Sequence, residues 1–283
     1  MKKEARTIHF REAHIYLNNR INVVGGLGYE LLQARSDKND NVFGDAIVWL
    51  NDLKKVGIDI VRFSGGEPTL EIDKLVLLIS KAKSLGLYTT LKTNGWWAND
   101  EEYWEKLVSS GLDFLRVTYD SSWFYEGSPL TKQISMKAIG DGRDRFKMFA
   151  VITHDTEPDL EEIRSIGPIV EVIPNSTRNE MYMVQSEQLF TNEETGKVTP
   201  YIRVHKNMYF VIDFKGRAFC SGTGIFAAEN DGTLDERYLG DVRTEGVEKL
   251  YNKFVALRLQ ENERLNKAEM KFKRDEFQIH PRI

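Results

Sequence analysis

Along the first two thirds of the chain, short β-prone apolar runs alternate with longer segments of helical period. This restricts the fold to a parallel sheet covered by helices. The clearest helix is Ile72 to Leu85, where Leu75, Leu78, Ile79 and Ala82 recur at helical spacing. Strands at Ile58 to Phe63 and Tyr88 to Leu91 bracket it. Further strands are expected at Ala13 to Asn18, Phe114 to Thr118, Lys147 to Thr153 and Ile169 to Ile173. Helices are expected at Ala46 to Val56, Glu101 to Ser109, Thr131 to Ile139 and Pro158 to Ile166, with Gly57 and Gly111 marking helix-to-strand turns. Six such units predict an α/β fold, a partial (β/α)6 TIM-like barrel, in which ligands gather at the C-terminal strand ends.

The remainder of the chain breaks this rhythm. Residues Asn175 to Pro200 are polar and too long for a simple connector, which predicts a lid or insertion. A hairpin is expected from Tyr209 to Asp213 and Arg217 to Phe219 around Lys215-Gly216, then a helix from Gly246 to Glu263. The small C-terminal part is therefore expected as an α+β extension. The mixed-sign run Lys271 to Glu276 reads as a solvated face. At 283 residues with 41% hydrophobic and 29% charged, the chain has ordinary globular composition and no apolar run of spanning length. No apolar segment follows Met1-Lys2-Lys3, and one cysteine excludes an internal disulfide framework, so a cytoplasmic protein is expected. A net charge of -4 creates no global field for nucleic acid or an anionic membrane, and neither partner is predicted.

Chemistry concentrates at predicted strand ends. Ser64-Gly65-Gly66-Glu67-Pro68-Thr69-Leu70 follows the second strand. Paired glycines permit close backbone approach or positive φ, Glu67 is expected to present a carboxylate to a cation, and Thr69 to cap the next helix. The tetrapeptide alone is also compatible with a plain helix-starting turn. Lys92-Thr93-Asn94-Gly95 ends the third strand, Val117-Thr118-Tyr119-Asp120 the fourth, Thr153-His154-Asp155 the fifth and Ile173-Pro174-Asn175 the sixth. Of the histidines, His14 is expected near the N-terminal, stability face of the barrel.

In order and spacing, residues 10 to 180 resemble the radical SAM superfamily. The resemblance implies a barrel of the radical SAM type. It also implies S-adenosylmethionine (SAM) held by Ser64, Gly65, Gly66, Glu67 and Pro68, with Thr93, Asn94, Thr118, Ile173 and Pro174 shaping the pocket. Asp213 to Cys220, followed by Leu239-Gly240-Asp241-Val242, resembles the SPASM or twitch extensions of that superfamily. The implied domains are 1–180, a radical SAM-like partial barrel, and 181–283, a lid and extension.

One departure governs the functional reading. Where the superfamily carries CxxxCxxC, the chain reads Arg20 to Tyr29, with Ile21, Gly25 and Gly28 at the cysteine positions. None ligates iron, so no [4Fe-4S] cluster is expected, and Cys220 alone cannot hold an auxiliary one. Gly25 and Gly28 leave space and backbone N–H groups that could take part in cofactor binding, or the loop has simply relaxed. Leu27 replaces the aromatic usual near adenine. Homolysis of SAM requires an electron that no side chain supplies. The expectation is a cluster-free protein that binds SAM and catalyses polar alkyl transfer or internal displacement, with Asp120, Tyr29 and His154 as acid-base candidates. The alternative is an inactive pseudoenzyme that binds a peptide or a catalytic radical SAM partner. A small molecule or peptide is the expected substrate.

Overall fold

The computed structural model describes residues 12–23, 41–154, 157–166, 169–173, 190–191, 198–199, 209–221, 225, 234 and 237–260. Six strands, β1 (Glu12–Tyr16), β2 (Ile60–Ser64), β3 (Tyr88–Thr93), β4 (Phe114–Thr118), β5 (Met148–His154) and β6 (Ile169–Ile173), pair in parallel in chain order. Between them run α1 (Phe43–Lys55), α2 (Ile72–Ser84), α3 (Glu101–Ser109), α4 (Lys132–Arg145) and α5 (Leu160–Ser165). Among the described residues, edge strand β6 has no neighbour on its outer side and the sheet does not close, so the expected partial barrel is what forms.

Local chemistry explains the helix starts. Asp100 accepts the Glu102 N–H ahead of α3, and Thr131 accepts the Ile134 N–H ahead of α4. Helix α4 runs to Arg145, past the expected end at Ile139, even though Gly140 and Gly142 lower its propensity. Packing overrides propensity here: a β-carbon on Gly142 would meet the Phe149 ring at 2.3 Å, so the glycine lets helix and strand touch.

The C-terminal part joins the same sheet. Strand β9 (Phe210–Ile212) pairs in parallel with β1, and β10 (Arg217–Phe219) and β11 (Tyr238–Asp241) continue antiparallel, the first pair forming the expected hairpin. Phe210, Ile212, Leu239, Leu250 and Phe254 belong to one hydrophobic core with Leu50, Leu75 and Leu115. Cys220 lies buried in that core, a small packed side chain as the sequence suggests. The expected helix from Gly246 forms as α7 (247–260), and a short helix that was not expected, α6 (Val242–Glu245), precedes it across Gly246 with φ +78°. In the 175–200 segment, β7 (Phe190–Thr191) and β8 (Val198–Thr199) form an antiparallel ribbon.

Strand alternation gives the sheet two unlike faces. Ala13, Ile15, Val61, Phe63, Leu91, Leu115 and Val117 face the helices and are fully buried, each large side chain contributing roughly 1.5–3 kcal/mol. The inner face carries Glu12, His14, Tyr16, Arg62, Thr90, Lys92, Arg116 and Glu171, a polar lining in the middle of the barrel. His14 sits at the centre of β1 on this face, not at its N-terminal end, stacked on Tyr209 at 3.8 Å. Among the described residues, no helix is long and apolar enough to cross a membrane.

Candidate functional site

The turn after β2 folds against the segment leaving β1. Leu17 N–H donates to the Ser64 carbonyl, Gly66 N–H to that of Asn18 and Glu67 N–H to that of Arg20, at 2.8, 2.8 and 2.6 Å. This docking explains the paired glycines. Gly65 has φ +131°, and its β-carbon would lie 2.5 Å from the Asn18 carbonyl oxygen; a β-carbon on Gly66 would lie 2.0 Å from that of Arg20. Both close approaches are to the chain's own backbone.

Glu67 is the hub of the turn. It is 1% exposed, and its Oε1 accepts from Thr69 N–H at 3.1 Å, Thr69 Oγ1 at 2.5 Å and Thr93 Oγ1 at 2.8 Å, while Oε2 accepts from Asn94 N–H at 2.8 Å. The two threonine hydroxyls are held in the donating sense. Trp96 Nε1 donates to Thr69 Oγ1 at 3.1 Å and Trp97 Nε1 to Thr93 Oγ1 at 3.3 Å, so each hydroxyl proton is left for Glu67. Burial pushes the Glu67 carboxyl up, and the four hydrogen bonds pull against that shift. The carboxylate expected to meet a cation therefore joins the exits of β2 and β3. Thr69 does not cap α2, whose N-cap Glu71 makes no side-chain cap; Glu67 caps the 3-10 turn Pro68–Glu71 instead, with Pro68 in its first turn.

The other strand-end residues gather around this hub. Asn94 Nδ2 donates to Asn22 Oδ1 at 2.8 Å, tying the β3 exit to the start of the loop that follows β1. Asn18 Oδ1, Asn22 Nδ2 and Thr118 Oγ1 are buried with no hydrogen-bond partner among the described residues. Asp120, 1% exposed, caps the 3-10 turn Ser121–Trp123 by accepting from Ser122 N–H at 3.0 Å and Ser122 Oγ at 2.6 Å. Glu157 reaches the same turn, accepting the Ser121 N–H at 3.2 Å. His154 and Ile173 are paired positions at the ends of β5 and β6. Gly25, Gly28, Tyr29 and Pro174 lie outside the described residues.

The donor set does not fit a [4Fe-4S] cluster. Ile21, at the first cysteine position, packs against an apolar group of Val23, Trp123 and Leu130, and the chain's one thiol is buried in the core beside β10. The strand-end amides and hydroxyls do suit the ammonium, carboxylate and hydroxyls of a SAM molecule. Asn18 Oδ1 offers an acceptor, Asn22 Nδ2 a donor and Thr118 Oγ1 either.

The inner-face charges are absent from the motif reading. Glu12 Oε1 accepts from His14 Nε2 and pairs with Arg62, each at 2.8 Å, while Arg116 pairs with Glu171. Burial raises the Glu12 carboxyl, but the His14 hydrogen bond and Arg62 outweigh it and bring it down to about 2. Burial lowers His14 to about 4 against that same hydrogen bond, so the ring is neutral at pH 7. The available signal was one charged residue inside each of the four strands β2, β3, β4 and β6: Arg62, Lys92, Arg116 and Glu171.

No family model matches the chain. It is 37% identical over 73 residues to a PqqA peptide cyclase of Rhodopseudomonas palustris, covering 26% of this chain and 19% of that protein. A PqqA peptide cyclase of Bradyrhizobium diazoefficiens is 39% identical over 70 residues, covering 25% and 18%. The chain thus matches less than a fifth of these relatives' length. Among solved structures, Streptococcus suis SuiB bound to S-adenosylmethionine is similar with a TM-score of 0.53 at 18% identity, over 74% of this chain and 59% of that one. BtrN in complex with AdoMet and 2-DOIA gives 0.46 at 13% identity, over 89% and 86%. The chain therefore carries a partial-barrel fold like that of SuiB, with the glycine turn of residues 64–70 at the end of β2.

Proposed function

We propose that this protein binds SAM at the C-terminal mouth of the barrel without a [4Fe-4S] cluster and catalyses a polar, non-radical reaction, alkyl transfer or internal displacement. The observation that carries the reading is a mismatch. The turn and the described strand ends beside it keep their polar groups, while Ile21 and the lone Cys220 supply no thiolate set. SAM brings a sulfonium electrophile, which needs no metal to be attacked by a nucleophile. The protein's part is to orient that centre and exclude water. Ser64, Gly65, Gly66, Glu67 and Pro68 form the turn, with Glu67 acting as a positioning residue through Thr69, Thr93 and Asn94. Gly25, Gly28, Thr118, Ile173 and Pro174 complete the proposed cofactor set. His154, Tyr29 and Asp120 are its acid-base candidates, Asp120 also serving as a cap. The peptide in the name of the curated relatives supports a peptide substrate.

The second reading is a pseudoenzyme that binds a peptide or a catalytic radical SAM partner. The missing thiolates favour it equally. Calorimetric titration with SAM and S-adenosylhomocysteine, followed by mass spectrometry of the SAM mixture, separates the two. Binding with conversion to a non-radical product is expected. No binding transfers the weight to the pseudoenzyme, and stoichiometric iron in the purified protein overturns both.

A further inference from the structure

Among the described residues, the inner face of the barrel carries more positive charge than its carboxylates neutralise. Arg62 on β2, Lys92 on β3 and Arg116 on β4 face Glu12 and Glu171, and each of the two arginines has one carboxylate partner. Lys92 has no hydrogen bond or ion pair among the described residues, and the Nε of Arg62 and of Arg116 are buried donors without an acceptor. Thr90, 3% exposed and lying between Arg62 and Lys92 on the same face, also has an unpartnered buried hydroxyl. Unpartnered buried polar atoms are rare, and several around an unpaired ammonium make a built site.

From this arrangement we infer that the barrel interior receives a carboxylate of the protein's ligand, held by Lys92 with Arg62, Arg116 and Thr90. The inference deepens the proposed function and rests on its reading of the barrel mouth as the ligand site. Placement supports it. Arg62, Lys92 and Arg116 stand two residues before Ser64, Asn94 and Thr118 on the same faces of their strands, which puts them about 6.6 Å below the mouth. Charge favours a single carboxylate over a phosphate dianion: among the described residues of this face, three cations against two carboxylates, with His14 neutral, leave one positive charge. Burial, with Arg62 and Arg116 nearby, lowers Lys92 to about 8, while Glu171 and Glu67 act more weakly in the opposite sense. An arriving anion would relieve that repulsion.

The test uses the full chain and N-acetyl-L-leucine, with N-acetyl-L-leucinamide as its neutral twin, in ligand-observed NMR titrations. Saturable binding of the carboxylate is expected, at least tenfold tighter than the amide and declining above pH 8. Lys92→Met and Thr90→Val should each weaken it, the first by tenfold or more, while Lys55→Met on the exposed end of α1 leaves it unchanged. Lys92→Met should also raise Tm, since it removes an unpaired buried cation, whereas a lysine needed for the fold would lower it. Equal binding of the two probes, absence of binding, a Lys92→Met protein that binds normally, or a fall in its Tm each overturns the inference. Stronger competition by inorganic phosphate overturns the carboxylate assignment. SAM titrated into wild type in parallel keeps the two ideas apart: carboxylate binding without SAM binding sinks the cofactor reading alone, and the reverse sinks this one.

Discussion

The glycine turn and the inner face of the same barrel are both polar, both buried and only about 6.6 Å apart along the strands, yet they are wired in opposite ways. At the turn, the Glu67 carboxylate meets four donors, and both threonine hydroxyls are oriented by indoles. On the inner face Lys92 has no partner among the described residues, and two arginine nitrogens and a threonine hydroxyl are left over there. A saturated network holds shape, and an unsaturated one is available to a ligand. The turn that first draws the eye in the sequence is therefore also a joint between two strand exits, while the inner face holds buried polar atoms that no motif marks.

Breaking the joint should have the largest consequences. Gly66→Ala places a β-carbon 2.0 Å from the Arg20 carbonyl oxygen, and neither backbone can yield without opening the junction. The expected outcome is little or no folded protein on expression, read by yield and circular dichroism. Glu67→Ala strands two hydroxyls and two N–H groups in a buried site and should cost about 3–5 kcal/mol in urea denaturation. That loss would erase the difference between the two regions as a test of activity, because the variant fails before its chemistry can be read. Thr93→Val removes one hydroxyl of the network and should cost about 1–2 kcal/mol.

The inner face should respond with the opposite sign. Lys92 is held below its ordinary value, so between about pH 8 and the unfolded value of 10.5 the unfolded chain binds more protons than the folded one. Stability from this group therefore rises with pH across that window, and Lys92→Met should flatten the rise in a pH series of chemical denaturations. A flat wild-type profile there would remove the contrast. Arg243→Gln, which breaks an exposed pair with Asp45 between the extension and α1, marks the lower end and should cost under about 1 kcal/mol.

Much of the fold was legible because its signals are local. The apolar period of α2 and the polar end of each βα unit placed the six parallel strands β1 to β6 within two residues of where they form, while β7, β8 and β11 were not foreseen. Helix α4 was read short, because Gly140 and Gly142 look like a terminus until Phe149 is seen against Gly142. The site was legible in position, and its internal hydrogen bonding was not. Gly65, Gly66 and Glu67 were noticed as a ligand turn, yet the groups they meet, Asn18, Arg20 and Thr93, stand 26 to 49 residues away or on the neighbouring strand. His14 was placed too near the barrel's end because one β-strand residue looks like another until its register with Arg62 and Val211 is known.

By itself the sequence determined the succession of βα units, the glycine turn and the absence of a thiolate set, all of which depend on residue type and short-range spacing. Only the tertiary structure decided that Glu67 closes on two threonines and an asparagine N–H, and that Arg62, Lys92 and Arg116 converge on one face. Parallel strands bring together residues separated by a whole helix, and whether a buried charge finds a partner is settled by that register and by no neighbour along the chain.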